Sequence, residues 1–377
     1  MSTDYRLLET RPTVMVVDLA ALGRNVQRVK ALIGSTRLMA VVKANAYGHG
    51  LRECGLCFEK SGVNALGCAY LEEALILRDA GVKIPILVFG GLLADQVKGY
   101  IEHDIDVTAS SIDKLDVIEA AAKLLKRRAR IHLKIDTGME RLGVHYYSAQ
   151  TFLERILQLE WCDVVGIFSH FACSDYVDKT LTKLQLERFL ECCDFFPKHS
   201  LPMPIRHIAS SAATLELAET HLDMVRPGIG LYGVMPSPEV INNYSLETCM
   251  SLRTRVVYFK VVKEGSGVSY GHRWKAPEDT RVVTLPIGYG DGYTRALSNK
   301  AHVLIGGRRY PAVGSICMDQ FMVNLGKGEA FNGDEVVLIG PQGSDSINVQ
   351  ELASLAETIP YEILVGMNAR IPRLYND

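Results

Sequence analysis

A chain of 377 residues is long for a single core, so two domains are expected. A net charge of −2, with 48% hydrophobic and 22% charged residues, describes an ordinary globular protein and argues against nucleic acid or an anionic membrane as a main partner. No apolar run reaches membrane-spanning length, Met1 to Thr13 lacks an apolar leader core, and nine cysteines without a disulfide framework fit reduced thiols, so a cytoplasmic protein is expected.

From residue 14 to about 233, short β-rich apolar runs alternate with helical stretches. The candidate strands are Val14–Leu19, Leu38–Ala44, Ala65–Ala69, Pro85–Gly90, Asp106–Ser110, Arg130–Asp136, Asp163–His170, Ile205–Ser210 and Met224–Tyr232. Segments such as Leu71–Ala80 and Ile112–Lys123 carry apolar residues at helical spacing. Such alternation implies parallel strands with crossover helices, an α/β fold. An eight-stranded barrel needs one strand fewer, and the first belongs by this count to another sheet. An open doubly wound sheet is the alternative, but no G-x-G-x-x-G follows the first strand. The texture changes at Pro236–Met250. Beyond it the chain reads as β: Leu252–Val262, Arg281–Ile287, His302–Ile305, Gln320–Leu325 and Glu335–Ile339, plus one helix, Val349–Thr358, capped by Asn348 with Glu351 at N3. The expected architecture is therefore an N-terminal (β/α)8 barrel over residues 1–243 and a smaller, mainly β domain over 244–377.

In a parallel barrel, ligands bind at the C-terminal ends of the strands. The second candidate strand runs into Lys43 and a small, Gly-bounded loop, Ala44 to Gly50. Burial disfavours an ammonium, so a lysine there suits Schiff-base chemistry with a carbonyl cofactor. A lysine snorkelling from a strand end is the plainer alternative. Other strand ends supply Arg141, His170, Ser211 and the run Arg226-Pro227-Gly228-Ile229. Taken singly these read as a surface charge, a core histidine and a helix cap. Together they offer an amine, guanidiniums, an imidazole, and hydroxyls and amides suited to a phosphate. Cys54-x-x-Cys57 has no second pair at zinc spacing, and Cys192-Cys193 reads as helix core.

The run Val42-Lys43-Ala44-Asn45-Ala46-Tyr47-Gly48-His49-Gly50 resembles the pyridoxal-phosphate attachment signature of bacterial alanine racemases. Further blocks agree in order: Leu133–Met139, Ser169–Ala172, Arg226–Ile229, Val268-Ser269-Tyr270-Gly271, Val313–Asp319 and Ile359-Pro360-Tyr361-Glu362. The resemblance implies a barrel plus a β domain, pyridoxal 5'-phosphate as cofactor, and two-base racemisation of alanine to supply D-alanine for cell-wall peptidoglycan. Lys43 would carry the cofactor as a Schiff base and then serve as one base, with Tyr270 as the other. His170 and Arg226 would continue a chain from that tyrosine, and Arg226 would face the pyridine nitrogen. Arg141 and the backbone amide of Met318 would hold the substrate carboxylate. Tyr47, Ser211, Gly228, Ile229 and Tyr361 would hold the phosphate. Lys134 matches a position that can be carbamylated. The resemblance also implies a homodimer in which Tyr270 and Met318 reach the partner's Lys43. No metal is expected. Two departures stand out: Ser210 where the family usually has asparagine, and Glu140 where it usually has glycine before the arginine. Serine or broad-spectrum racemases, a decarboxylase of the same barrel class and a non-enzymatic cofactor carrier are the alternatives. Tyr361 beside the substrate methyl favours alanine, and Tyr270 with the β domain disfavours the last two.

Overall fold

The computed structural model describes residues 10–241 and 243–377. Most of the N-terminal stretch read as leaderless lies outside them. Among the described residues no helix is long and apolar enough to cross a membrane.

The first strand, β1 (Val14–Asp18), does not enter the barrel. It runs antiparallel to Met250–Arg255 and parallel to the C-terminal strand Arg373–Asn376, so it joins the second sheet as the strand count implied. Asp18 then caps the helix Leu19–Ile33 by accepting from the Ala21 amide at 2.7 Å. That helix buries Ala21, Leu22, Asn25, Val26, Val29 and Ile33, a stripe at three and four spacing, and ends at Gly34 with φ 61°.

Eight parallel strands follow: β2 (Arg37–Val41), β3 (Ala65–Cys68), β4 (Ile86–Val88), β5 (Asp106–Ala109), β6 (Ala129–Asp136), β7 (Cys162–Phe168), β8 (Ile205–His207) and β9 (Met224–Val225). They pair in chain order, and β9 pairs with β2. Backbone bonds from Asp223 to Arg206 and from Arg226 to Ala209 bridge β8 and β9 and close the ring. Such strands are covered on both faces, which is why they read as continuous apolar runs.

Several expected boundaries shift. β2 stops at Val41, before Lys43. β9 is two residues long; Pro227 cannot donate to a ladder, and Ile229–Tyr232 coils into a 3-10 turn. The expected strand Leu252–Val262 is two strands, Met250–Arg255 and Tyr258–Val262, broken at Val256–Val257.

The second sheet has ten strands, and several show the alternating burial of a sheet with one face on the core, as in Phe321–Gly326. Asn348 caps the helix Val349–Ala356 by accepting from the Glu351 amide. A further helix, Pro360–Gly366, was not expected; its signal was a proline at the first turn. It packs on the loop after β2 and so ties the β domain to the barrel mouth.

Candidate active site

After β2 the backbone turns left-handed. Ala44, Asn45, Ala46 and Tyr47 hold φ between 52° and 55°. For non-glycine residues this costs of order 1–2 kcal/mol each, so the turn persists only because its surroundings fix it. The buried Glu73 carboxylate accepts from the Ala44 amide at 2.6 Å and from the Ala69 amide at 2.8 Å. Asn45 Oδ1 accepts from the Leu51 amide, and Arg373 donates to the Gly48 carbonyl. Lys43 thus projects from a rigid mount and is exposed at the mouth of the single chain. Loss of hydration among the surrounding walls lowers its pKa, Arg141 and Arg226 lower it further, and Glu73 opposes them.

The strand β6 ends in a second fixed loop. Asp136 Oδ1 accepts from the amides of Gly138, Met139 and Glu140, and Oδ2 from that of Arg141. Four donors on one carboxylate set where the Arg141 side chain leaves the backbone. Glu140 occupies a left-handed position, φ 54°, and its carboxylate pairs with His145 at 2.8 Å. The non-glycine departure is therefore engaged with His145. Lys134, buried on β6, donates to the Ile135 carbonyl and lies 5.1 Å from the centre of the Phe168 ring. Burial brings its pKa down to about 7, with Arg226 adding to the effect and Asp136 opposing it. Among the described residues no acid forms a salt bridge with Lys134; its amine is held by the Ile135 carbonyl instead.

Arg226 is the buried hub of the mouth. Its guanidinium donates to His207 Nδ1 at 3.0 Å, to the Ser169 carbonyl at 2.8 Å and to His170 Nδ1 at 3.3 Å. Burial lowers its pKa to about 9, which still leaves it charged at neutrality. Burial and the cationic neighbours Arg226, Lys134 and Arg141 hold His170 well below the usual imidazole range, so it is neutral. Since arginine only donates, His170 Nδ1 accepts and its proton is on Nε2.

The loop after β9 forms a cradle. Ser211 Oγ accepts from the amides of Gly228 at 2.9 Å and Gly230 at 3.2 Å. A Cβ on Gly228 would lie 2.2 Å from Tyr47 Oη, so only glycine lets that phenol approach. The Tyr47 and Tyr361 rings are 6.0 Å apart, and burial raises both phenol pKa values, keeping them neutral donors. Ile229 is fully buried beneath. At Ser210, the other departure, the hydroxyl meets that of Ser174 at 2.9 Å.

Tyr270 and Met318 are placed differently. Both lie in the β domain, 74% and 53% exposed. The Tyr270 carbonyl accepts from Ser315 Oγ, Ser269 Oγ donates to the Ser315 carbonyl, and Gly290 donates to the Met318 carbonyl, so the two loops are laced together. Tyr270 lines the rim of a cavity of about 920 Å³ with Tyr289, Arg295, Ile316 and Glu362, none of them from the barrel mouth.

The barrel-mouth residues fit pyridoxal 5'-phosphate: a mounted amine, a hydroxyl-and-amide cradle that a side chain at 228 would fill, and the buried Arg226 guanidinium just past the end of β9. Among the described residues no group of side chains could hold a metal ion. Cys54 and Cys57 are ordinary residues of the helix Leu51–Lys60, and Cys192 and Cys193 are buried on the helix Thr180–Cys193. Sequence reasoning gave no role to Glu73, Asp136 or His207. Their only signal was an acid in the first turn of a helix and polar residues inside strands.

Comparison with known proteins agrees with this geometry. Residues 17–236 match the family described as alanine racemase, N-terminal domain, and residues 249–375 match alanine racemase, C-terminal domain. The chain is 39% identical to an alanine racemase of Halothermothrix orenii, covering 98% of each chain. It is 40% identical to one of Methanococcus maripaludis, covering 97% of this chain and 99% of that one. The crystal structure of alanine racemase from D-cycloserine-producing Streptomyces lavendulae superposes with a TM-score of 0.94 at 38% identity, covering 97% of both chains. That from Bacillus anthracis with bound L-Ala-P gives 0.91 at 34% identity, covering 97% of this chain and 95% of that one. Matched over both domains and nearly its whole length, the chain belongs to the alanine racemase family of pyridoxal-phosphate isomerases.

Proposed function

We propose that this chain interconverts L-alanine and D-alanine by a two-base proton transfer, and so supplies D-alanine for cell-wall peptidoglycan. The observation that carries the reading is the gathering of Lys43, Arg141, Arg226 and the Ser211–Gly228 cradle at one barrel mouth in a chain of this family. Lys43 would hold the cofactor, with Tyr47, Ser211, Gly228, Ile229 and Tyr361 around its phosphate. When bound, pyridoxal 5'-phosphate supplies an electron-withdrawing ring that acidifies the amino acid's Cα–H.

The residues of the chain do the rest. The Lys43 amine, with its lowered pKa, takes or returns a proton on one face of Cα. Tyr270 serves the other face. A free phenol has a pKa of about 10, so it needs a partner to act near neutrality. His170, neutral with its proton on Nε2, has a donor to offer it, and Arg226 holds that tautomer from behind. Arg226 can only donate toward the ring nitrogen, so it does not protonate it, which favours simple reprotonation over transamination. The Arg141 fork and the Met318 amide take the substrate carboxylate. Lys134, with a pKa of about 7, is partly neutral at physiological pH, as an amine must be to add to carbon dioxide and become a carbamate with release of a proton.

Residues 1–243 supply most of the cofactor half of this site, and residues 244–377 supply Tyr361 at the phosphate and the second base. The exposure of Tyr270 and Met318 supports a two-fold dimer in which each reaches the partner's barrel mouth. Nine free thiols among the described residues support a reducing, cytoplasmic setting. The bulk of Tyr361, placed by the family resemblance beside the substrate methyl, favours alanine, though discrimination of a hydroxymethyl is worth only about 1–3 kcal/mol, so serine should leak through. Incubation of the holoenzyme with L-alanine, with D-alanine followed by a coupled oxidase, tests the reading. Racemisation of serine faster than alanine, or of neither, overturns it.

A further inference from the structure

Beneath Arg226 lies a row of buried polar side chains that the reaction as described does not use. Arg226 Nη1 meets His207 Nδ1 at 3.0 Å, His207 Nε2 meets His132 Nδ1 at 2.9 Å, and His132 Nε2 meets Asp106 Oδ2 at 3.3 Å. All four residues are at most 5% exposed. Asp106 Oδ1 is taken by Arg130 at 2.7 Å, beside a cavity of about 310 Å³ at the opposite, N-terminal end of the barrel, lined also by Arg37 and Asn64. The row therefore runs through the barrel core, from one end to the cofactor end.

Its direction is fixed by its two ends. Arginine donates only, so His207 Nδ1 accepts and His207 carries its proton on Nε2. That proton points at His132 Nδ1, which must accept, so His132 also carries its proton on Nε2. That one donates to Asp106, a carboxylate, which accepts only. Every bond points from Arg226 toward Asp106, and both imidazoles are neutral. Reversing any one bond sets two donors or two acceptors face to face. The surrounding packing is built for this. A Cβ on Gly166 would lie 2.1 Å from His132 Nδ1, so the ring sits where β7 has no side chain. Phe168 stacks on His207 with ring centres 4.9 Å apart and planes 3° apart, and the Arg226 guanidinium lies 5.4 Å from the same ring. No carboxylate touches Arg226 directly among its hydrogen-bond partners, which are His207, His170 and two carbonyls.

We propose that Asp106 and His132 are positioning residues for the racemase reaction: through His207 they orient the Arg226 guanidinium and provide its counter-charge at a distance, along a one-way row of hydrogen bonds. This rests on the role given to Arg226 above. The groups facing the two imidazoles are Asp106 and Arg130 from the base of the barrel, and Lys134 and Arg226 from the mouth. Because arginine must donate at one end and a carboxylate accept at the other, the arrangement dictates both tautomers, which can be measured without any reaction.

Histidine labelled with ¹⁵N in apo- and holoprotein, followed by long-range ¹H–¹⁵N correlation, should show His132 and His207 neutral and protonated on Nε2. Either ring protonated on Nδ1, or on both nitrogens, overturns the proposal. His132→Phe keeps an aromatic ring and removes both contacts. His207 should then lose its single tautomer. In the holoenzyme kcat should fall about tenfold with the alanine KM within about twofold, as expected for a lost hydrogen bond to a charged group. Conversion of the cofactor to its amine form, read by absorbance during turnover, should rise relative to racemisation. Should that variant not fold, Gly166→Ala pushes the His132 ring away without deleting it, and the same changes are expected. An unchanged His207 tautomer and an unchanged ratio of transamination to racemisation in whichever variant folds sinks the idea. A wild-type protein with the stated tautomers but no alanine racemisation would instead count against the proposed function alone.

Discussion

The barrel mouth and the Tyr270–Met318 face of the β domain carry the two halves of the proposed site, and they are built in opposite ways. At the mouth every functional group is mounted on strained or multiply bonded backbone: Lys43 on a left-handed turn, Arg141 on the Asp136 loop, Arg226 on carbonyls and imidazoles. On the β domain the loops are equally well tied, through Ser269, Ser315 and Gly290, but the side chains they present stand in solvent. A preorganised first half and an exposed second half are what one expects when a second surface completes the site. Rigidity on both sides is needed because a misplacement of about 1 Å in either base costs of order a hundredfold in rate.

Removing the exposed half is the sharpest way to break this comparison. Tyr270→Phe keeps the ring and deletes the proton carrier, and racemisation should drop about 10²–10⁴-fold in initial-rate assays. Mixed with a Lys43→Ala chain and allowed to exchange subunits, it should form hybrids with one intact composite site. Random exchange makes about half the dimers hybrid, so roughly a quarter of wild-type activity should return. Hybrids that form and stay as inactive as their parents would place both bases in one chain.

Within the mouth, Gly228→Ala should weaken cofactor binding. Its Cβ would fall 2.2 Å from Tyr47 Oη. Overpacking of this kind costs about 1–3 kcal/mol, which corresponds to roughly five- to 150-fold weaker cofactor binding. Titration of apoprotein with pyridoxal 5'-phosphate, followed by fluorescence, measures it; binding within a factor of two would mean the cradle is not where the phosphate sits. A smaller, pH-dependent effect belongs to Lys134. Its folded pKa of about 7 lies below the free value of 10.5. Between those values the unfolded chain binds a proton that the folded one does not, so stability should rise with pH across that window, by at most about 1.4 kcal/mol per unit. Lys134→Met should flatten that rise in urea denaturation, in buffer free of carbon dioxide. The same slope in both proteins would show that Lys134 is not held neutral. The smallest effect is expected at Ala44, exposed and at φ 53°. Ala44→Gly should relieve a left-handed cost of about 1–2 kcal/mol while adding about 0.5–1 kcal/mol of chain entropy, for a net gain of about 0.5 kcal/mol in thermal unfolding. A loss of stability instead would mean the turn is not strained.

Much of this was legible in the order of residues. Near-continuous apolar runs located the barrel strands because both faces of a closed parallel sheet are buried, and the strand count assigned the surplus strand Val14–Leu19 to another sheet. The blocks around Lys43, Arg226 and Tyr270 carried the family resemblance. Other features were not legible, because they depend on contacts between residues far apart in the chain. The strand expected to run to Ala44 ends at Val41, since the turn after it is held by Glu73, Leu51 and Arg373 rather than by its own preference. Glu140 reads as a carboxylate beside an arginine until His145 is seen to engage it. His132 and His207, 75 positions apart, read as isolated polar residues inside strands. The sequence by itself determined which elements form and which chemical groups are available, because those follow from local periodicity and side-chain type. Only the tertiary structure decided the left-handed mount of Lys43, the hub at Arg226 and the exposure of Tyr270, because each is the result of packing that local sequence does not encode.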